Sequence, residues 1–415
     1  MHQTQSSLKI QIDQLKKLHT DFKLCGEPCN ALLDVPHALL GYVTALLHDE
    51  QPTAPMATPD AWENLISQLN MHFLLPLLYW KIKHASKRTR PPATVFDKLR
   101  YAFMFNVHRL MKAESQLQEI VNAFSREKVR LMVLKGPALA WMAYPEPAIR
   151  QFSDLDLLVR PEQFVQARAI LAELGYKCIV NRFDIFQDSL CNEELAPPSD
   201  RRAYLGIDLH WIAHVFYGNR RRVETETLFR NARSIHIGKV KTEMMHPVDA
   251  LIYASHHIIM NHCNEIRLNW IYEIAQLARM LEVPSDWFEL QQKSIAWGAS
   301  LAVEKALKMA QIWTGLALPE QFADFTRWPS SHIAETTAMA DTLQRQYENP
   351  VVAAKLYFTN VTDAVSLLKV FVKLIFPTQE YMLHYYPNAN GRYLLAYFRR
   401  WGLWAVNGMR WLLKR

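Results

Sequence analysis

The stretch from Leu131 to Val159, LMVLKGPALAWMAYPEPAIRQFSDLDLLV, constrains this chain more than any other part of it. Leu131 to Leu134 is a short apolar run of buried-strand character, and it ends in Lys135-Gly136-Pro137. Ala138 to Met142 then reads as a helix with proline in its first turn, where the missing N–H has no intrahelical partner to lose. Downstream, Phe152, Leu155, Leu157, Leu158 and Val159 surround Ser153, Asp154 and Asp156. A strand places residues i and i+2 on one face, so Asp154 and Asp156 point the same way.

Two carboxylates on one face repel each other and favour a hard divalent cation, with magnesium the natural guest. A third carboxylate would let two ions clamp the attacking and leaving oxygens of a phosphoryl displacement. Asp208 is the candidate, because Tyr204 to Trp211 is another apolar run of strand character; Asp184 is a lesser rival. The pair alone is weak, since 40 acidic residues in 415 give about four acid-x-acid pairs by chance. The Lys-Gly turn before it and Asp208 after it supply the discrimination.

Leu134-Lys135-Gly136, Tyr144, Arg150, Ser153 to Val159 and Ile207-Asp208-Leu209-His210-Trp211, in that order, resemble the nucleotidyltransferases of the polymerase beta superfamily. More narrowly they resemble a largely uncharacterised bacterial nucleotidyltransferase family. Pro76 to Tyr79 and Leu268 to Glu273 extend the likeness over most of the chain. The resemblance implies an α+β protein, with a small mixed-sheet nucleotidyltransferase core embedded in a mostly helical chain. It implies two magnesium ions held by Asp154, Asp156 and Asp208, and a nucleotide bound at Lys135, Gly136, Arg150 and Ser153. The activity it implies is transfer of a nucleoside monophosphate from an NTP to an acceptor that the sequence does not identify. Gly136-Pro137 departs from the superfamily's usual Gly-Ser or Gly-Gly, so a hydroxyl and a backbone donor are missing. Lys135, Arg150 or the amides of Ala138 and Leu139 are the available replacements, and the sequence leaves them open. Two other functions stay open: an inactive nucleotide-binding or scaffold protein, and a toxin-like modifier of tRNA or protein.

Half the residues are apolar and only 12 are glycine, a balance that favours helices over a large all-β fold. Three regions are expected: an N-terminal helical region (1–97), the nucleotidyltransferase core (98–245) and a C-terminal helical region (246–415). Helices are predicted before Pro91-Pro92, from Phe96 to Lys128, from Pro161 to Leu174, and over Ala250 to Met260, Leu268 to Leu281 and Ser300 to Trp313. Tyr176 to Val180 reads as a strand, and Asp188 to Asp200 as a loop whose acids are solvated.

His210 and His214 are four apart, but Trp211 stands where a zinc metalloprotease has glutamate, so His210 is expected to pack or hydrogen-bond beside Asp208. His256, His257 and His262 read as part of a partly buried helix, and Asp249 and Glu273 do not complete a histidine-acid site with them. Cys25, Cys29, Cys178, Cys191 and Cys263 lack paired zinc spacing and read as thiols. Met1 to Leu24 has no apolar core of a signal peptide, so a cytoplasmic setting is expected.

From Met382 onward the chain interleaves Arg392, Arg399, Arg400, Arg410, Lys414 and Arg415 with aromatic rings and no acid. It reads first as a packed helix, with peripheral contact to an anionic membrane or to nucleic acid as the functional alternatives. No apolar run is long enough for a transmembrane helix, since Lys369 and Lys373 interrupt Val365 to Phe376.

Overall fold

A computed structural model describes residues 35–179, 191–201, 203–213, 215–216, 221–262, 266–325 and 393–412, with single positions between 368 and 382. The amino-terminal helices are α1 (His37–Leu47), α2 (Pro59–Met71) and α3 (Leu75–Lys83). In α2, Trp62, Leu65 and Leu69 recur at helical intervals and are buried, and Thr58 caps its start by accepting from the Ala61 amide. Pro91 and Pro92 interrupt the pattern before α4 (Ala93–Arg126), the long helix expected over this region. Leu117, Ile120, Val121 and Phe124 form its buried stripe against the sheet.

The core elements follow in the order β1 (Leu131–Val133), α5 (Lys135–Met142), β2 (Asp154–Val159), α6 (Phe164–Glu173), β3 (Lys177–Cys178), β4 (Asn192–Ala196) and β5 (Gly206–His210). Gly175, at φ 90°, ends α6 in a backbone conformation that a side chain would strain. A small ribbon, β6 (Val215–Phe216) with β7 (Arg221–Arg222), the short helix α7 (Thr225–Arg230) and the hairpin β8 (Arg233–Ile237) with β9 (Val240–Met244) complete the core. Among the described residues seven strands form one sheet in the order β3-β4-β5-β2-β1-β9-β8, in which β2–β5 and β1–β9 are parallel and the other pairs antiparallel.

The sheet separates two apolar cores. Leu155, Leu157, Val159, Ile207 and Leu209 face Leu117, Ile120 and Phe124 of α4 and Phe164 and Leu171 of α6. Leu134 and Leu158 join the other core, built from α1 to α3 and the carboxyl-terminal helices α8 (Pro247–His256), α9 (Leu268–Arg279), α10 (Pro284–Trp297) and α11 (Ser300–Thr314). Because strand side chains alternate, the face opposite Leu155 and Leu157 carries Asp154, Asp156 and Asp208 toward the helices. The expected α+β architecture, a mixed-sheet core within a mostly helical protein, is the one observed.

Four segments differ from expectation. The segment read as a loop from Asp188 to Asp200 contains β4, which is paired along β5. Glu193, expected to be solvated, is fully buried there, with its charge met by Arg168 at 3.3 Å. The β8–β9 hairpin and α10 were not expected, and among the described residues the strand predicted over Tyr176 to Val180 covers Lys177 and Cys178, Val180 lying outside them. After α11 come a short helix, α12 (Glu320–Ala323), and α13 (Tyr393–Leu412). On α13 Ala396 and Arg400 are buried, while Leu394, Leu395 and Phe398 are exposed. Among the described residues no helix is long and apolar enough to cross a membrane. Asp184, His214, Cys25, Cys29 and Cys263 lie outside the described residues, and Cys178 and Cys191 form no disulfide.

Candidate metal and nucleotide site

The site begins with register. The parallel pairing of β2 and β5 sets Asp156 directly beside Asp208 and Asp154 beside Gly206. On the far side of β5, β4 sets Glu194 beside Asp208. Asp154, Asp156 and Asp208 line one cavity of about 320 Å³ together with Lys135, Gly136, Arg150 and Ser153. All seven residues singled out from the sequence therefore meet at one place.

Their surroundings divide the charge unequally. Asp156 is 2 % exposed and accepts from Lys135 Nζ at 2.6 Å and from His210 Nε2 at 3.1 Å, both on Oδ1. Burial alone would raise its pKa, but the Lys135 charge and the His210 hydrogen bond outweigh burial and hold it at about 2. Asp208 lacks so close a cation, so burial and the neighbouring Asp156 charge push it up to about 6. Asp154 is also raised, by burial and then by Asp156. Burial would lower His210, but its hydrogen bond to Asp156 prevails and lifts it to about 9, so the imidazole is protonated at neutral pH. His210 thus bonds to Asp156 rather than Asp208, and Asp156, Asp208 and His210 offer donor atoms within 4.8 Å of one another.

The turn before α5 is tight for an identifiable reason. Lys135 has φ 45°, an unfavourable backbone conformation for a lysine, and this directs the chain from β1 into the helix. A Cβ on Gly136 would lie 2.6 Å from Phe152 Cβ, so only glycine permits this approach of the turn to the segment entering β2. That segment is held from α4, where Asn106 donates to the Ala148 carbonyl at 2.7 Å and Arg109 to the Phe152 carbonyl at 2.9 Å. Ala138 and Leu139, whose amides were candidate phosphate donors, are buried and do not line the cavity. Arg150 lines it, but its guanidinium is bound to Glu273 of α9 at 2.6 Å, in a pair buried on both sides. Asp249, the other acid considered beside the histidines, pairs with Lys293 at 2.6 Å.

The remaining lining consists of Phe152 and, from the flanking helical regions, Phe73, His257, His262, Arg267 and Trp270. The sequence reads His257 and His262 as part of a partly buried helix and gives Phe73 and Arg267 no role. The one sequence signal was the segment Leu268 to Glu273, which includes Trp270. His257 opens a π-helical turn, His257–Asn261, at the end of α8, a local widening common at functional sites.

A mixed sheet with carboxylates on adjacent parallel strands, a glycine turn before a helix and flanking helices define a nucleotidyltransferase-like protein. The chain belongs to an uncharacterised nucleotidyltransferase family within the polymerase beta superfamily, whose model matches residues 58–315, more than half of it. That span contains every residue of the cavity. No curated protein matches the chain.

Proposed function

We propose that the protein is a magnesium-dependent nucleotidyltransferase that moves a nucleoside monophosphate from an NTP to an acceptor. The observation that carries this reading is the convergence of Asp154, Asp156 and Asp208 on one cavity in a chain of this family. The donor set suits a hard cation, because carboxylate oxygens of neighbouring strands meet there. Asp154, Asp156 and Asp208 would hold the metal, two ions in the fullest form, and bound metal would neutralise the phosphates and orient them for in-line displacement.

The protein's own groups divide the remaining work. His210, protonated and bonded to Asp156, orients that carboxylate instead of competing as a ligand. The Gly136 turn lines the cavity where the phosphates would lie, Ser153 offers a hydroxyl at the cavity rim, and Lys135 supplies a cation in place of the donor lost to Pro137. Arg150, fixed by Glu273, contributes positive potential without needing to move. The acceptor attacks the α-phosphorus as the bond to the pyrophosphate oxygen breaks, and pyrophosphate leaves with that electron pair. Positioning and charge neutralisation carry such a reaction.

The test is incubation with each labelled NTP, magnesium and a cell extract, comparing wild type with the Asp154→Asn/Asp156→Asn double variant. Labelled product and pyrophosphate are expected from the wild type, with a loss of roughly 100-fold or more in the variant. Unchanged transfer in the variant refutes the assignment. Labelled tRNA or protein would identify a macromolecular modifier, and a labelled small molecule a metabolic enzyme.

A second reading, a catalytically silent nucleotide-binding or scaffold protein, draws on Pro137 in the turn and on Lys135 held against Asp156. It predicts magnesium-dependent NTP binding without pyrophosphate release. Use of an NTP suits a cytoplasmic setting, and the exposed Leu394, Leu395 and Phe398 beside Arg399 support peripheral contact of α13 with an anionic membrane surface.

A further inference from the structure

The cavity has two opposed chemistries. Its floor is ionic, made by Asp154, Asp156, Asp208 and Lys135, whereas the wall contributed by the flanking helical regions has no carboxylate among the described residues that line it. There the Arg267 guanidinium lies 4.4 Å from the centre of the Phe73 ring and 5.0 Å from that of Trp270. The His262 ring is 4.9 Å from Trp270 and 4.6 Å from His257, with the planes at 48° and 66°. These rings meet at angles instead of closing into a stack, and each retains surface on the cavity.

The wall is held rigidly. Phe73 has φ 56°, a conformation that a bulky residue adopts only when its surroundings impose it. Those surroundings are visible: His72 Nδ1 accepts from the Leu268 amide at 3.2 Å, and the His72 carbonyl accepts from Asn269 at 3.4 Å. These bonds fasten the end of α2 to the start of α9, which brings Phe73 against Arg267 and fixes both beside Trp270. Ile258, Ile259 and Met260 bury the π-helical turn in the core, while His257 and His262 line the cavity. Two of the four non-glycine residues with positive φ among the described residues, Phe73 and Lys135, thus lie on this cavity, one on each side.

An anchored set of rings opposite a carboxylate floor matches the two ends of a nucleotide. Burial, with Lys135 and Arg267 nearby, holds the His262 pKa at about 4, so its ring is neutral at physiological pH. A neutral imidazole stacks on or hydrogen-bonds to a base and adds no charge for a phosphate. The Arg267 guanidinium, set against Phe73 and Trp270, adds a planar cation beside the rings on which a base can stack.

We infer that Phe73, His257, His262, Arg267 and Trp270 form the nucleobase subsite, with Trp270 as the principal stacking surface and the phosphates directed to the carboxylate floor. The inference rests on the nucleotide-binding reading above, and a ligand without a base separates the two.

The experiment measures magnesium-dependent binding of each NTP and of inorganic tripolyphosphate to wild type, Trp270→Ala, Trp270→Phe and Asp156→Asn/Asp208→Asn. Trp270→Ala should weaken the preferred NTP by roughly tenfold, the scale of losing one aromatic stacking contact, and leave tripolyphosphate within about twofold. Trp270→Phe should recover most of the lost affinity, which excludes misfolding as the cause, and the aspartate variant should weaken both ligands. Undiminished NTP binding by Trp270→Ala overturns the subsite, as does an equal loss of NTP and tripolyphosphate. Loss of acceptor labelling with NTP affinity intact also overturns it and gives the wall to the acceptor. A wild-type chain that binds tripolyphosphate but no NTP overturns the subsite and leaves the phosphate floor standing, whereas binding of neither overturns both readings.

Discussion

Lys135 Nζ lies 2.6 Å from Asp156 Oδ1, so the most buried carboxylate of the site carries its own cation. Without that ammonium, Asp156 would face Asp154 and Asp208 with only His210 to compensate. Lys135→Met keeps most of the side chain's length and removes the charge. Losing one partner of a buried pair should lower metal-free stability by about 3 kcal/mol. Magnesium should then raise the Tm of the variant more than that of the wild type, because the cation replaces what the lysine supplied. Thermal denaturation with and without magnesium measures both, and equal shifts in the two proteins would remove Lys135 from this role.

The carboxylates also set a pH dependence. Asp208, pushed up to about 6, holds a proton in the folded state at pH values where the unfolded chain, with its ordinary carboxylate, has released it. That proton favours the folded state at low pH, and its contribution fades as pH rises through about 6. Magnesium must displace the same proton, together with any held by the raised Asp154, so magnesium affinity should rise by at least about tenfold per pH unit below 6 and level off at higher pH. Asp156, at about 2, remains ionised across this range and adds no slope. Titrating magnesium by its stabilisation of the fold between pH 5 and 8 tests the point, and a flat profile contradicts it.

Gly136 gives a prediction about packing. A methyl group there meets Phe152 Cβ at 2.6 Å, and that atom is fixed by backbone that Arg109 holds from α4. Gly136→Ala should therefore cost about 1–3 kcal/mol through overpacking and shift the turn away from the carboxylates. Denaturant unfolding should show the loss, and NTP affinity should fall with it. Wild-type stability in this variant would mean that Phe152 has room to retreat.

The carboxylate half of the site was legible because strand periodicity is a local property. Asp154 and Asp156 share a face by their spacing alone, and Asp208 sits in a run apolar enough to read as a strand. The turn was legible because Gly136 and Pro137 restrict the backbone where they stand. The other wall is tertiary: Phe73 and Trp270 are distant in sequence and meet through the His72 bonds to Leu268 and Asn269. No periodicity reports the π-helical turn that separates His257 from the helix before it. β4 was missed for a related reason. Asn192-Glu193-Glu194 has poor strand propensity, and pairing with β5 and burial of Glu193 beside Arg168 override it.

Arg150 and Glu273 allow structural and ligand-binding roles to be separated. Both are nearly inaccessible, and their pairing ties the segment entering β2 to α9. Glu273→Leu leaves a buried guanidinium without its counter-charge and should cost about 3–5 kcal/mol. Arg150→Met leaves a buried carboxylate in the same position. The double variant Arg150→Met/Glu273→Leu removes both charges, so its stability should return to within about 1–2 kcal/mol of wild type, a strongly non-additive cycle. NTP binding should follow a different order, because Arg150 faces the cavity and Glu273 does not line it. The double variant should regain stability without regaining NTP affinity. Recovery of both would assign Arg150 to the scaffold alone, while recovery of stability only would place its positive charge among the groups that hold the nucleotide.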